Sequence, residues 1–483
     1  MTIKVKESVF ISAVNQYFTL FVQFVLGMFI ARLLTPEEIG VYSIGAVVIA
    51  IAHMFRDFGI GKYLINEKKL TSKKLRAAFT LTLLISWSIA LTLFIATPFL
   101  AELYKSEAIA SIFYVVIFNF VLIPFGSTLM TFLRREWHYK ALLVTGAASN
   151  IVQVIVTLIL AVKGYSYMSL AWGSISNVIT TIIVLQIYRP KDFPIAPSLK
   201  GIGDIFKFGS FASIESIFKQ SGDSSPDLFI GKNLTMSDVG FFSKGFSIIQ
   251  IFNFLVMGVI RPVALPYFSM IERGEQNLSE AYQKLINLIT IASLLFFSFI
   301  FISAEPIIIT LFGEQWYEAV KITKILAIGA AITSLASFTD LILVAKGKIK
   351  ELAYFTCVFQ IIRIISIAIA SIYSLKWVAI ILVVFNGIQT ISYLTMLIKN
   401  LEIKFTSIMR VYLINFTLAI AAICPVITIQ YWGYVASLNV VMHLLLNGSI
   451  WLISSFCILV LVEHQVYSDF LKPLLIKIRL YRP

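Results

Sequence analysis

The chain has 483 residues, of which 59% are hydrophobic and only 13% charged, and its mean hydropathy is +0.90. Soluble domains carry about 25% charged residues, so this composition excludes a soluble globular protein and leaves no room for a sizeable aqueous domain. The formal charge of +14 invites a nucleic-acid partner, but its distribution along the chain argues against one.

In chain order, apolar runs of about 20 residues, each able to cross a hydrocarbon core of about 30 Å, predict an all-α polytopic membrane protein. The fourteen spans are 10–31, 39–62, 77–100, 110–132, 141–162, 168–187, 208–231, 239–260, 285–304, 318–345, 351–373, 377–398, 411–430 and 439–462. The opening MTIKVKES precedes a run too long for a signal-peptide core and without a small-residue cleavage site, so it reads as an uncleaved first helix.

After span 1 the chain reads Leu34-Thr35-Pro36-Glu37-Glu38-Ile39-Gly40-Val41-Tyr42-Ser43-Ile44-Gly45. Two hundred residues on it reads Leu234-Thr235-Met236-Ser237-Asp238-Val239-Gly240-Phe241-Phe242-Ser243-Lys244-Gly245. Threonine followed three positions later by Glu or Asp is a helix-capping box, and Pro36 suits a first helical position. Capping accounts for the threonine and the acid. It does not account for the matched Gly40/Gly240, Ser43/Ser243 and Gly45/Gly245 pairs, which point to a repeated membrane unit.

Arg56 and Asp57 lie near the inner end of span 2, followed by Lys62. Being adjacent, they point about 100° apart on a helix and cannot simply be one local pair. Arg56 is either a phosphate-holding group or an interfacial residue whose guanidinium snorkels to the membrane surface. The polar connection 188–207, with Pro190, Pro194 and Pro197, separates an N-terminal six-span lobe (1–187) from a second six-span lobe (208–398). Residues 399–483 form a terminal helix pair and a basic cytoplasmic tail. An even number of spans per lobe relates the lobes by a pseudo-two-fold along the membrane normal, with a substrate site expected at their interface. The terminal pair supplies either an added groove or peripheral packing.

Span 7 is the most polar. Glu215, Lys219, Asp223 and Asp227 recur every four residues, a spacing that lines one helix face over about 18 Å. Each charge at the bilayer centre costs at least about 2.5–3.5 kcal/mol, so this face lines water or pairs internally. An i,i+4 lattice with Lys219 between Glu215 and Asp223 is the structural alternative, although three acids then face one base. Pro226 in the same span frees a backbone carbonyl and suits a gating element. In span 10, Asp340 is a further candidate, or else contacts Lys346 or the span end. Arg363 stands alone in the middle of span 11. It either joins Arg56 in holding a pyrophosphate through paired guanidinium bonds or pairs with a span-7 acid such as Asp223.

With the N-terminus inside, the inner segments hold 27 of the 39 Lys and Arg residues and the outer segments 7. This positive-inside pattern places both termini in the cytoplasm and assigns the basic charge to topology and anionic lipid headgroups, not to nucleic acid. Cys357, Cys424 and Cys457 fall in separate spans, and the four histidines are scattered, so neither a disulfide framework nor a metal site is expected. Gly59-Ile60-Gly61 and Gly201-Ile202-Gly203 lack the third glycine of a nucleotide fingerprint, and there is no Walker loop. No catalytic constellation and no cofactor are expected. Amides inside spans, among them Asn15, Gln23, Asn150, Gln153 and Asn177, either hydrogen-bond sugar hydroxyls or tie helices together.

Two six-span lobes with a terminal pair resemble the flippases of the multidrug/oligosaccharidyl-lipid/polysaccharide superfamily, and most of all their polysaccharide, Wzx-type branch. The motifs that carry the likeness are Arg32-Leu33-Leu34-Thr35-Pro36-Glu37-Glu38-Ile39-Gly40-Val41-Tyr42, Asp57-Phe58-Gly59-Ile60-Gly61, and Leu311-Phe312-Gly313-Glu314-Gln315-Trp316. The resemblance implies movement of polyprenyl-pyrophosphate-linked sugar repeats across the inner (cytoplasmic) membrane for lipopolysaccharide, capsule or exopolysaccharide assembly. Membrane lipids, polymerase and glycosyltransferases are the surroundings and partners it implies. Arg56, Lys219 and Arg363 are then candidates for substrate binding, and Glu215, Asp223, Asp227 and Asp57 for cation or proton coupling. A cation-coupled multidrug antiporter of the same superfamily is the alternative. A polysaccharide polymerase would need a long outer loop, which the chain lacks.

Overall fold

A computed structural model describes residues 3–57, 59–191, 193–194, 196–274, 277–432, 438–462 and 468, with side chains from residue 14 onward except at 56, 57, 66, 204 and 207–215. Among these residues all regular structure is helical. The first half holds α1 (Ile3–Leu33), α2 (Pro36–Asp57), α3 (Ile60–Asn66), α4 (Ser72–Leu103), α5 (Glu107–Leu122), α6 (Pro124–Arg135), α7 (Tyr139–Val162) and α8 (Met168–Ile187). There follow α9 (Ile202–Asn233), α10 (Met236–Phe252), α11 (Gly258–Arg273), α12 (Leu278–Phe312), α13 (Tyr317–Ser334), α14 (Thr339–Ala345), α15 (Ile349–Ala370), α16 (Leu375–Leu401), α17 (Phe405–Tyr431) and α18 (Val440–Leu461).

Twelve segments of the described residues are long and apolar enough to cross a membrane, and the bent pair α5–α6 makes a thirteenth. Helix α9 is long enough but is not among them; its described part carries Lys219, Asp223, Asp227 and Lys232. Several expected spans are discontinuous. Span 2 ends at Asp57, and Gly59 in the left-handed region (φ 63°) starts the short α3, a turn that glycine makes at little steric cost. Span 4 bends by 48° at Pro124, where a proline cannot donate to the preceding turn. Span 8 runs on through a π-helical turn, Asn253–Met257, to Arg273.

Two compact units are defined by internal contacts: Met1–Ser243 with Thr356–Ile372, and Lys244–Phe355 with Tyr373–Pro483. In the first, α1 packs on α7 and α7 on α8, α4 packs on α5, and α2 lies against α9. Apolar residues of α3, α4 and α9, including Tyr63, Leu64, Leu81 and Ile205, form one core cluster. Arg135 at the end of α6 donates to the carbonyls of Leu64 and Ile65, satisfying acceptors that the end of a helix leaves open. In the first turn of α4, Lys74 Nζ lies 3.1 Å from Glu67 of the preceding loop, and its hydrogen bond holds the Glu67 carboxyl below the usual carboxylate range.

In the second unit α12 is the central helix, packed by α13, α17 and α18. Ile291 and Leu295 of α12 bury against Ala419, Ala422 and Leu459. Asn415 and Asn447 of the terminal pair donate to Asn287 Oδ1 (2.9 Å) and Ser303 (3.3 Å) of α12. The terminal pair is thus packed into this unit by apolar area and by amide bonds that compensate buried polar groups.

Candidate functional site

The two echoed segments meet in the first unit. Each opens its helix with a reciprocal capping box. Thr35 N–H donates to Glu38 Oε2 at 2.7 Å while Glu38 N–H donates to Thr35 Oγ1 at 3.3 Å. Thr235 N–H donates to Asp238 Oδ2 and Asp238 N–H to Thr235 Oγ1, each at 3.1 Å. The matched glycines have a different cause. A Cβ added to Gly40 would lie 1.7 Å from the Met236 carbonyl oxygen, and one on Gly240 would lie 2.1 Å from that of Pro36. Ser43 and Ser243 share a hydrogen bond of 3.2 Å. Each copy thus presents the same residues to the other, as at an isologous interface. Gly45 and Gly245 do equivalent work on other neighbours: their added Cβ atoms would meet Ile112 of α5 at 2.5 Å and Thr323 of α13 at 2.9 Å.

Helix α9 of the same unit carries the charged stripe. Asp223 accepts a 2.7 Å bond from Arg363 of α15, whose side chain is 13% exposed while that of Asp223 is 46% exposed. The approach is close because Gly222 has no side chain: a Cβ there would stand 1.9 Å from Gln360 Oε1. Arg363 Nε and Gln360 Oε1 are buried and have no partner among the described residues. Only one face of the guanidinium is therefore committed to Asp223. Lys219 is exposed and makes no ion pair among the described residues, and Asp227 is partly buried. Ser225 Oγ donates to the Gly222 carbonyl at 2.8 Å, which is the acceptor that Pro226, lacking an N–H, leaves open. Tyr104 donates to the Leu228 carbonyl at 3.4 Å, and Asn233 to Ser371 at 2.7 Å. Of the expected site residues, Asp223 and Arg363 are brought together. The side chains of Arg56, Asp57 and Glu215 lie outside the described residues.

The first unit also holds a chain of amides. Gln23 Nε2 of α1 donates to Asn150 Oδ1 (3.0 Å) and Gln153 Oε1 (3.2 Å) of α7. Asn150 donates in turn to Thr19 (3.1 Å), and Asn177 of α8 donates to Gln153 Oε1 (3.0 Å). By the 200-residue offset Gln23 corresponds to Asp223, and because α7 starts at Tyr139 and α15 at Ile349, 210 residues on, Gln153 stands at the same helix position as Arg363. The α1–α7 amide contact and the α9–α15 ion pair are therefore counterparts, neutral in one copy and ionic in the other.

In the second unit Asp340 pairs with Arg261 of α11, not with Lys346, which instead donates to the Asn400 carbonyl at 2.6 Å. Arg261 directly follows the residues of span 8 in the sequence, where only Pro262 beside it marks the position. Span 10 breaks here. Phe338, fully buried at φ 68°, separates α13 from α14, a conformation that costs a bulky residue of order 1–3 kcal/mol. Tyr412 donates to the Leu335 carbonyl at that break, satisfying an acceptor the broken helix cannot. The motif Leu311–Trp316 is also explained. Trp316 is fully buried, and Lys244 Nζ lies 5.1 Å from the Phe312 ring centre and 5.6 Å from that of Trp316, a cation–π arrangement that stabilises a charge inside the fold.

Comparison with known proteins places this geometry. Residues 29–321 match the model of a family described as polysaccharide biosynthesis protein. The teichuronic acid biosynthesis protein TuaB of Bacillus subtilis is 22% identical over 69% of each chain. The lipopolysaccharide biosynthesis protein WzxC of Escherichia coli is 18% identical over 66% of this chain and 65% of its own length. Among solved structures, the lipid II flippase MurJ in an inward closed conformation superposes with a TM-score of 0.73 at 13% identity, covering 95% of this chain and all of that one, so the chain has the two-lobe fold of that protein. The chain belongs to the polysaccharide biosynthesis protein family and, with its many long apolar helices, is a multi-pass membrane protein.

Proposed function

We propose that the protein translocates polyprenyl-pyrophosphate-linked oligosaccharide repeat units across the cytoplasmic membrane for surface polysaccharide assembly, by alternating access between its two lobes. The observation that carries this is α9, a helix too polar for lipid whose Asp223 binds an otherwise half-committed Arg363. A pyrophosphate offers a guanidinium the same paired acceptors as a carboxylate, so substrate arrival exchanges one anion for another without leaving Arg363 unpaired. Lys219 and Arg56 are the further cations assigned to the substrate. Asp223, once released, joins Glu215, Asp227 and Asp57 as the carboxylates that take up a proton or cation to complete the cycle. The polyprenyl tail stays in lipid while the glycan and pyrophosphate cross in water. Membership of a polysaccharide biosynthesis family and the names of its relatives support a glycan cargo.

The test is complementation of a bacterial strain lacking its own flippase. The wild-type chain restores surface glycan, and Arg363→Glu, which repels both Asp223 and pyrophosphate, does not. Restored dye efflux without restored glycan would reject the proposal.

A further inference from the structure

The amide cluster of α1, α7 and α8 carries more bonding capacity than its internal contacts use. Gln23 donates both amide hydrogens and Asn150 donates both of its own, to Thr19 and to the Gly146 carbonyl. Gln23 Oε1, the Gln153 amide nitrogen and Asn177 Oδ1 have no partner among the described residues, and neither has the buried Asn15 Oδ1. The unused groups are thus donors and acceptors in close company, with no charge among them. Gln23, Gln153 and Asn177 are each only partly buried. Gln23 lies ten residues from the end of α1, about 15 Å along the helix axis and so well inside the hydrocarbon depth. Unpaired amides cannot face lipid at that depth without a penalty of several kcal/mol each, so their open side faces water.

A surface that donates and accepts, uncharged and hydrated, suits a ligand whose every polar group also does both. That description fits a hydroxyl. We propose that Gln23, Gln153 and Asn177, backed by Asn150, Asn15 and Thr19, form a subsite for the hydroxyls of a neutral sugar of the transported glycan. It is the uncharged counterpart, in the first repeat, of the ionic Asp223–Arg363 pair in the second. One copy of the repeat takes the neutral end of the cargo and the other its anionic end. The subsite rests on the flippase reading above, and the experiment separates the two.

The flippase-deficient strain carries the wild-type chain, Gln153→Asn, Asn177→Ser, or Asn447→Ser. The last alters a fully buried amide of α18 that only ties α18 to Ser303. The initial rate of glycan display is divided by the amount of folded protein recovered from the membrane. Loss of one hydrogen bond to cargo lowers the rate per folded molecule by about three- to tenfold in Gln153→Asn and Asn177→Ser, and leaves it unchanged in Asn447→Ser. Wild-type rates in both cluster variants, or an equal fall in Asn447→Ser, overturn the subsite while the flippase reading stands. Failure of the wild-type chain to restore display rejects both.

Discussion

Ser43 and Ser243 are 200 residues apart in the chain, and their hydroxyls lie 3.2 Å apart in the structure. The repeat is visible in the sequence because its two copies touch each other there, and what touches is constrained in both. Cysteines at the two positions would lie within disulfide reach. In a chain freed of Cys357, Cys424 and Cys457, Ser43→Cys with Ser243→Cys forms the crosslink on oxidation and transport stops. Reduction restores it. Free transport by the fully oxidised protein would show that this contact does not open in the cycle.

Gly40 and Gly240 set how closely the two helix starts approach. An alanine at either site meets a carbonyl oxygen at 1.7 or 2.1 Å, and overpacking of this kind costs about 1–3 kcal/mol. Thermal midpoints of Gly40→Ala and Gly240→Ala in detergent are expected to fall by similar amounts. Gly27→Ala, where an added Cβ meets nothing within 4 Å, leaves the midpoint unchanged.

For Asp223 and Arg363, removal of one partner is worse than removal of both, because a lone charge remains inside the bundle. Arg363→Ala is expected to cost about 1–3 kcal/mol, below the figure for a fully buried pair because Asp223 remains 46% exposed. Asp223→Asn with Arg363→Gln recovers most of that stability without recovering transport. A thermal-midpoint series beside a glycan-display assay measures both.

The Arg261–Asp340 pair gives a further test of the same logic in the other unit. Single variants Arg261→Gln and Asp340→Asn are each destabilised, and the double variant less than their sum, with a coupling energy of about 0.5–3 kcal/mol. Strict additivity would mean that the pair does not hold α11 to α14.

Much of this was legible in the sequence because charge is expensive in lipid. An arginine alone in span 11 and a stripe of three acids and one lysine in span 7 require each other or water, and Asp223 with Arg363 is the outcome. The capping boxes were legible from the Thr-x-x-acid spacing. The Gly40/Gly240 match signalled a constraint whose cause, a backbone contact between the copies, lay in tertiary structure. Arg261 was hidden because the run of apolar residues ended just before it and two prolines followed, so it read as a loop charge. The break at Phe338 had no signal at all: neither glycine nor proline stands there, and the edge-on contact of its buried ring with Phe268 exists only in the fold. Lys244 carried no signal of its role, since nothing in the local sequence shows that Phe312 and Trp316 fold around it.

The most direct measurement is translocation by the purified protein in liposomes. A fluorescent polyprenyl-pyrophosphate oligosaccharide is placed in the inner leaflet, and its glycan is scored for cleavage by a hydrolase added outside. Wild-type protein is expected to expose the glycan, with Arg363→Glu reduced to the rate of empty liposomes. Equal exposure by wild type, Arg363→Glu and empty liposomes would contradict the account at its centre.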